Sequence, residues 1–303
     1  MNKPHDPSTN NLLKPHAFKG FLLAILGLCL FSCMDCITKY LTTHFNVPFV
    51  VAMRYIVHFL LMLIIFAPRH GAGLLKTQRT GLVIFRALTL TISSLCMGLA
   101  LQRMPLAETI AINFLAPTLV AFFAGYILGE RMDLLGWAAV ITGFIGVMFI
   151  ARPGSGLDAW GVAFALCAAA AGATYQILSR LLASTETAIT LLFYTALIGS
   201  IIFGIALPWF WENKLPGTLE LILLLSMGVT GGLGHYFFTL AYSYAPASVL
   251  APVTYLQLLI AGFLGWLIFN NIPDGVSIVG MAIIACSGLL VALKTHRTKY
   301  NSP

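Results

Sequence analysis

Apolar runs of about 20 residues, separated by short polar or turn-forming breaks, recur along almost the whole chain. They fall near 19–41, 48–67, 81–101, 107–128, 133–151, 159–181, 187–208, 219–241, 247–269 and 275–293. At a rise of about 1.5 Å per residue, such a run is long enough to cross a hydrocarbon core of about 30 Å. The pattern predicts an all-α integral membrane protein with ten transmembrane helices. Most breaks are under about a dozen residues, which leaves no room for a soluble catalytic domain. Residues 1–18 carry Pro, His, Asn and Ser with little apolar content and are predicted to form a disordered tail, and 294–303 a second tail. The first apolar run continues past Cys36 without a small-residue cleavage site, so it reads as a retained span and not as a signal peptide.

The two halves of the chain repeat each other without gaps at an offset of 141 residues: Gly20 falls on Gly161, Lys39 on Arg180, Ala100 on Ala241, Pro105 on Pro246, Phe122 on Phe263 and Asp133 on Asp274. The repeats cover 19–152 and 159–293, with five spans each. An odd number of crossings makes the second copy enter the bilayer upside down relative to the first. Two inverted five-helix repeats are the architecture of alternating access, in which two halves rock around a cavity near the midplane.

Composition narrows the class further. With 59% hydrophobic and 9% charged residues, the chain cannot form a soluble surface. Lys3, Lys14, Lys19, Arg69, Lys76, Arg79, Arg131 and Arg180 lie on the side of the N-terminus together with the basic C-terminal residues. Only Lys39, Arg103, Arg152 and Lys214 lie opposite. The positive-inside rule then places both termini in the cytoplasm. The net charge of +7 is spread over several membrane edges without interleaved stacking aromatics, so anionic lipid headgroups are the expected partners and nucleic acid is not.

Two patterns that resemble reactive sites have plainer readings. Cys33 and Cys36 form a C-x-x-C, but all six cysteines fall inside apolar spans, where they read as small packing residues. No metal site or cofactor is expected. Gly228, Gly231, Gly232 and Gly234 lie within a span and lack the strand and aqueous edge of a phosphate loop. Gly228 and Gly232 have the small-xxx-small spacing of close helix packing. Gly231 and Gly234 are open to that role or to lining a cavity.

Ionisable groups inside spans cost roughly 2.5–3.5 kcal/mol each at a helix centre and therefore point to partners or water. Asp35 and Arg54 lie at matched depths, each about 9 Å from the far end of its span, which makes an Asp35–Arg54 ion pair sterically reasonable. Lys39, one turn beyond Asp35, offers a second partner. The pair reads either as a structural tie or as a gate at the mouth of a cavity. Glu108 opens span 4 just after Pro105, where it could cap the helix or face the cavity. Arg86, five residues into span 3, is expected to snorkel to the headgroups. His58 reads as an interior histidine. His235 follows the glycine run and adjoins Tyr236, Phe237 and Phe238, which makes it a ligand candidate.

Aromatic residues concentrate in the second repeat. Tyr175, Tyr194, Tyr236 and Tyr255, with Gln176 and Gln257 near them in sequence, would suit a flat, largely uncharged molecule. Tyr242 and Trp266 are open to the same role or to an interfacial belt.

These residues carry a resemblance over nearly the whole chain to the drug/metabolite transporter superfamily, of the ten-span type built from two EamA-like repeats. Asp35-x-x-x-Lys39-Tyr40, Arg54, Pro105-Leu106-Ala107 and Leu128-Gly129-Glu130-Arg131 look like the first repeat of that family. Pro246-Ala247-Ser248 and Phe269-Asn270-Asn271 occupy the corresponding places in the second, where Asn271 replaces the usual Glu. The string His235-Tyr236-Phe237, with Ala241-Tyr242 and Tyr255-x-Gln257, resembles a bacterial branch that includes riboflavin transporters. Asp35 to Tyr40, Phe193-Tyr194 and Pro273-Asp274 resemble S-adenosylmethionine carriers.

The resemblance implies a secondary transporter of the bacterial inner membrane without enzyme chemistry, with riboflavin uptake as the leading substrate. Tyr175, Gln176, Tyr194, His235, Tyr236, Tyr255 and Gln257 would bind the substrate, and Asp35, Lys39, Arg54 and Glu108 would form the gate or ion pair. A carrier or exporter of S-adenosylmethionine, amino acids or another metabolite is the alternative, and a channel or receptor a further one. Association into a homodimer is left open.

Overall fold

The computed structural model describes residues 14–116, 118–120, 123, 134–152, 156–182, 185–211, 214–244, 253–254 and 256–300. Within them run ten helices: α1 Lys14–Leu41, α2 Val47–His70, α3 Thr80–Arg103, α4 Leu106–Asn113, α5 Leu134–Ile150, α6 Ala159–Leu182, α7 Ala188–Phe210, α8 Thr218–Tyr244, α9 Leu256–Phe269 and α10 Gly275–Tyr300. Six of these contain apolar stretches long enough to cross a membrane: Phe18–Leu41, Val47–His70, Thr80–Arg103, Ala159–Ser179, Ala188–Phe210 and Thr218–Phe238. The chain is a multi-pass, all-α membrane protein.

Both end helices run past the bounds set by hydropathy alone. α1 begins at Lys14, since Pro15 in a first turn forfeits no helical hydrogen bond. α10 continues to Tyr300.

Acidic and hydroxyl side chains close the exposed helix starts. Asp158 Oδ1 accepts the Gly161 N–H of α6 at 2.7 Å, and Thr187 Oγ1 accepts the Thr190 N–H of α7 at 3.1 Å. Glu186 caps α3 from a different connection, with Oε1 accepting the N–H groups of Gln78 and Arg79 at 2.8 and 3.0 Å. Asp274, just before α10, accepts the Ser277 N–H and is bonded by Arg152. These contacts, the Ser277 N–H first, hold its carboxyl well below the usual range, at about 2.

The packing obeys the inverted repeat. The first span of each repeat lies along the third span of the other, as α1 on α8 and α3 on α6. The second, fourth and fifth spans meet their own counterparts, as α2 on α7, α4 on α9 and α5 on α10. Exchanging the two repeats leaves this set of pairs unchanged, as a two-fold axis in the membrane plane requires. Each long pair is antiparallel: Lys19 and Met34 of α1 meet Tyr244 and Gly231 of α8, while Arg86 and Ser93 of α3 meet Ser179 and Ala168 of α6.

Glycines let the helices approach to backbone contact. Gly27 and Gly234 face each other across α1 and α8, and Gly146 and Gly280 across α5 and α10. The largest apolar core gathers Leu101, Leu106, Ile110 and Ile112 from α3 and α4 with Ile150 and Ile284 from α5 and α10. Trp160, Trp209 and Trp266 face outward from the bundle, as belt residues do.

Candidate functional site

Residues of α1, α2, α8 and α9 form one contact cluster inside the bundle. α1 contributes Phe31, Met34 and Asp35; α2 contributes Arg54 and His58; α8 contributes Gly231, Gly232 and His235; α9 contributes Gln257. Most of these residues are half-buried.

Asp35 is 7% exposed, and its Oδ2 accepts from Gln257 Nε2 at 3.1 Å. This bond joins the first span of repeat 1 to the fourth span of repeat 2. It also brings together two of the residues singled out from the sequence. His235 stands edge-on to Phe31 with ring centroids 4.8 Å apart. A β-carbon at Gly232 would lie 3.3 Å from the His58 ring, and one at Gly231 would lie 3.0 Å from Met34 Sδ. The glycine run serves close packing, the first of the two roles read from its spacing. Gly228 and Gly234 allow close packing against Val57 and Phe31, and Gly231 and Gly232 allow it against Met34 and His58.

Arg54 is not bonded to Asp35. The ion pairs among the described residues are Arg103–Asp158 at 3.5 Å and Arg152–Asp274. The Arg54 guanidinium lies over the Tyr55 ring, 4.8 Å from its centroid, and its closest polar contact is Nη1 to Met34 Sδ at 4.0 Å. Arg54 is still near enough for its charge to act on Asp35. The cluster therefore holds a carboxylate and a guanidinium that do not neutralise each other by contact. Opposite charges held apart in a low-dielectric interior are costly unless a third group lies between them.

The other expected site residues are placed as follows. Lys39 is buried and donates to the carbonyls of Leu101 and Met104 at 3.0 and 2.7 Å, so it closes the end of α3 and does not pair with Asp35. Glu108 sits in the first turn of α4, 5% exposed, with Oε2 lacking a hydrogen-bond partner among the described residues. Tyr194 is buried and its hydroxyl donates to the Leu75 carbonyl at 3.0 Å, which fastens the turn after α2. Tyr236 is 43% exposed beside Phe237. Gln176 is exposed and occupies the repeat position equivalent to Asp35. Tyr255 lies outside the described residues.

Arg86 does not snorkel. It is 5% exposed and turns into the bundle, where Nε donates to Ser179 Oγ at 2.7 Å and Nη2 to the Tyr175 hydroxyl at 2.7 Å. Nη1 donates to the Leu191 carbonyl and to Thr195 Oγ1, both at 3.1 Å. Four neutral oxygens in fixed directions satisfy the planar guanidinium better than a headgroup reached by a stretched side chain would. Tyr175, expected at the substrate, is held by this arginine.

Sequence reasoning overlooked Met34, Phe31 and the Arg86 partners. The offset of 141 residues contained a signal for them, because it places Met34 and Arg54 on Tyr175 and Thr195, the residues that hold Arg86. Among the described residues no three His, Cys, Asp or Glu side chains converge as a metal site. Cys96 and Cys167 touch across α3 and α6, with sulfurs 3.4 Å apart, and all six cysteines are free.

Comparison with known proteins fits this architecture. The profile of the EamA-like transporter family matches twice, at residues 18–152 and 159–293. An S-adenosylmethionine uptake transporter of Rickettsia prowazekii (strain Madrid E) is 27% identical over 282 residues, covering 93% of this chain and 95% of the relative. A riboflavin transporter of Vibrio cholerae serotype O1 is 27% identical over 282 residues, covering 91% and 93%. A pseudopaline exporter of Pseudomonas aeruginosa (strain UCBPP-PA14) is 27% identical over 277 residues, covering 89% and 95%. A protein known from a crystal structure shares the fold, with a TM-score of 0.65, 18% identity and coverage of 94% of this chain and 99% of that one.

Proposed function

The chain belongs to the EamA-like transporter family, and from that premise we propose that it carries a zwitterionic metabolite of the S-adenosylmethionine kind by alternating access. The observation that carries this reading is the pair of opposite charges, Asp35 and Arg54, which lie in one interior cluster without touching. A ligand with a carboxylate and a cationic amine or sulfonium would neutralise both at once. Its carboxylate would meet the Arg54 fork, and its cation the Asp35 carboxylate that Gln257 orients. Phe31 and the two imidazoles of His58 and His235 would offer faces and edges to a heteroaromatic base. The names of the Rickettsia relatives support the same substrate.

Riboflavin is the second reading, favoured by the relatives of Rhizobium johnstonii and Vibrio cholerae that bear its name. It carries no formal charge and so makes no use of Arg54 as a counter-ion. In that reading Gln176, Tyr236 and Tyr255 would join His235 and Gln257 around the flat ring. Glu108, buried with a free oxygen, would be a further polar wall of the cavity in either reading. The bias of Lys and Arg supports insertion in a bacterial inner membrane with both termini in the cytoplasm.

Uptake by bacteria expressing the chain separates the two readings. Labelled S-adenosylmethionine should accumulate saturably and be displaced by unlabelled S-adenosylmethionine but not by equal riboflavin. Displacement by riboflavin, or uptake of riboflavin alone, would replace the first reading with the second.

A further inference from the structure

Arg86 is a buried cation with no carboxylate in contact among the described residues, and its bonds span three helices. It stands on α3, about 9 Å from the end that shares a face with both chain termini. From there it reaches Tyr175 and Ser179 on α6 and Leu191 and Thr195 on α7. The guanidinium also lies over the Tyr175 ring, 4.3 Å from its centroid. α3 belongs to the first repeat, and α6 and α7 to the second, so each of these bonds crosses between the halves that alternating access must move apart.

The repeat offset supplies a comparison inside the same molecule. Positions 175, 195 and 86 correspond to 34, 54 and 227, which hold Met34, Arg54 and Met227 near the opposite face. There Arg54 makes only the 4.0 Å contact with Met34 Sδ and no bond to a neighbouring oxygen among the described residues. One member of the inverted pair of junctions is fastened by four hydrogen bonds; in the other, Met227 stands where Arg86 does and is fully buried in an apolar cluster with Val50 and Leu224. The two junctions are thus held by different means, apolar contact at one and directional hydrogen bonds at the other, and the bonds of Arg86 must break if its three helices separate.

We propose that Arg86 is the latch of the terminus-side gate: its bonds to Tyr175, Ser179, Leu191 and Thr195 hold α3 against α6 and α7 while the site is closed to that side, and break as it opens. The proposal rests on the alternating-access reading above and not on the identity of the substrate. Arg86 is a positioning residue and need not touch the cargo. Lysine cannot replace it fully, because one ammonium on a flexible stem does not reach three helices in the directions a planar fork does.

The test uses the full chain with its six cysteines replaced by serine or alanine and Met34→Cys as reporter in the central cluster. A membrane-impermeant maleimide is applied to vesicles of either orientation, and in intact cells the same reagent reads which face is cytoplasmic. Arg86→Gln should raise labelling from the terminus side about tenfold and slow it from the opposite side, with Arg86→Lys in between. If Arg86→Gln does not fold, Tyr175→Phe combined with Thr195→Val removes two acceptors while keeping the charge, and should shift labelling in the same direction.

A merely structural arginine would lower the amount or melting temperature of the protein without changing the ratio of labelling from the two faces. Folded variants with the parent's ratio overturn the latch. If added S-adenosylmethionine or riboflavin shifts that ratio in the parent while no variant does, the carrier reading stands and the latch alone is wrong. If neither ligand nor variant shifts it, alternating access at this site is wrong as well.

Discussion

Asp35→Asn and Arg54→Gln are each expected to lower S-adenosylmethionine uptake by roughly thirtyfold or more, with the protein still folded and inserted. Each substitution removes one charge that meets an oppositely charged group of the ligand in a water-poor interior, a loss of roughly 2–5 kcal/mol when the other partner stays buried. Exchange of the two residues, Asp35→Arg with Arg54→Asp, separates this account from a simple helix tie. Residues that bonded each other would recover part of the lost activity on exchange. Asp35 instead bonds Gln257, and no nitrogen of Arg54 reaches a carboxylate oxygen, so the exchanged chain presents both charges in the wrong order and should stay inactive. Recovery in the double variant would show that the charges act on each other and would remove the reason for a zwitterionic cargo.

The second large effect concerns the crossing of α5 and α10. A β-carbon at Gly146 would lie 2.9 Å from the Gly280 carbonyl oxygen and 3.1 Å from the Ile284 nitrogen, and one at Gly280 would lie 2.8 Å from the Gly146 carbonyl oxygen. Backbone atoms cannot rotate out of the way. Gly146→Ala and Gly280→Ala should each destabilise the fold by about 1–3 kcal/mol through forced separation of the two helices. Gly161→Ala is the control, because there the new methyl meets an adaptable side chain and not backbone, Met104 with Cγ at 2.5 Å and Sδ at 2.8 Å. Thermal unfolding in detergent reads all three. If Gly146→Ala melts with Gly161→Ala, the close backbone approach does not set the stability of this pair.

The difference between the two sets of glycines was not visible in the one-dimensional pattern, and the same holds for much of the site. Apolar run length locates the helices, because crossing a bilayer requires a fixed number of buried residues. The offset that pairs Gly20 with Gly161 and Asp133 with Asp274 exposes the inverted repeat and so the partners of each span. Run length gives depth along a helix but not direction around it. Helices with apolar residues on every side have little periodic contrast, so nothing local tells whether a polar side chain points to lipid, to a neighbour or to a cavity.

Arg86 shows the consequence. Its depth fits snorkelling, yet Ser179, Tyr175 and Thr195 lie about a hundred residues away and hold it inside. Asp35 and Arg54 were legible as a matched pair because they share a depth. Their separation was not legible, since it depends on the bond that Gln257 brings from another repeat. Tyr194 was misleading for a related reason: an aromatic body in a span suggests a ligand surface, but its hydroxyl is committed to Leu75.

Counterflow in reconstituted vesicles tests the central claim most directly. Purified protein is placed in liposomes loaded with excess unlabelled S-adenosylmethionine, and a trace of labelled compound is added outside. A carrier that alternates around the Asp35–Arg54 cluster should concentrate the label transiently against its own gradient, with saturation by external S-adenosylmethionine and without that overshoot in Arg54→Gln. Label that only equilibrates, without saturation and equally in the variant, would mean a passive channel and would contradict the account.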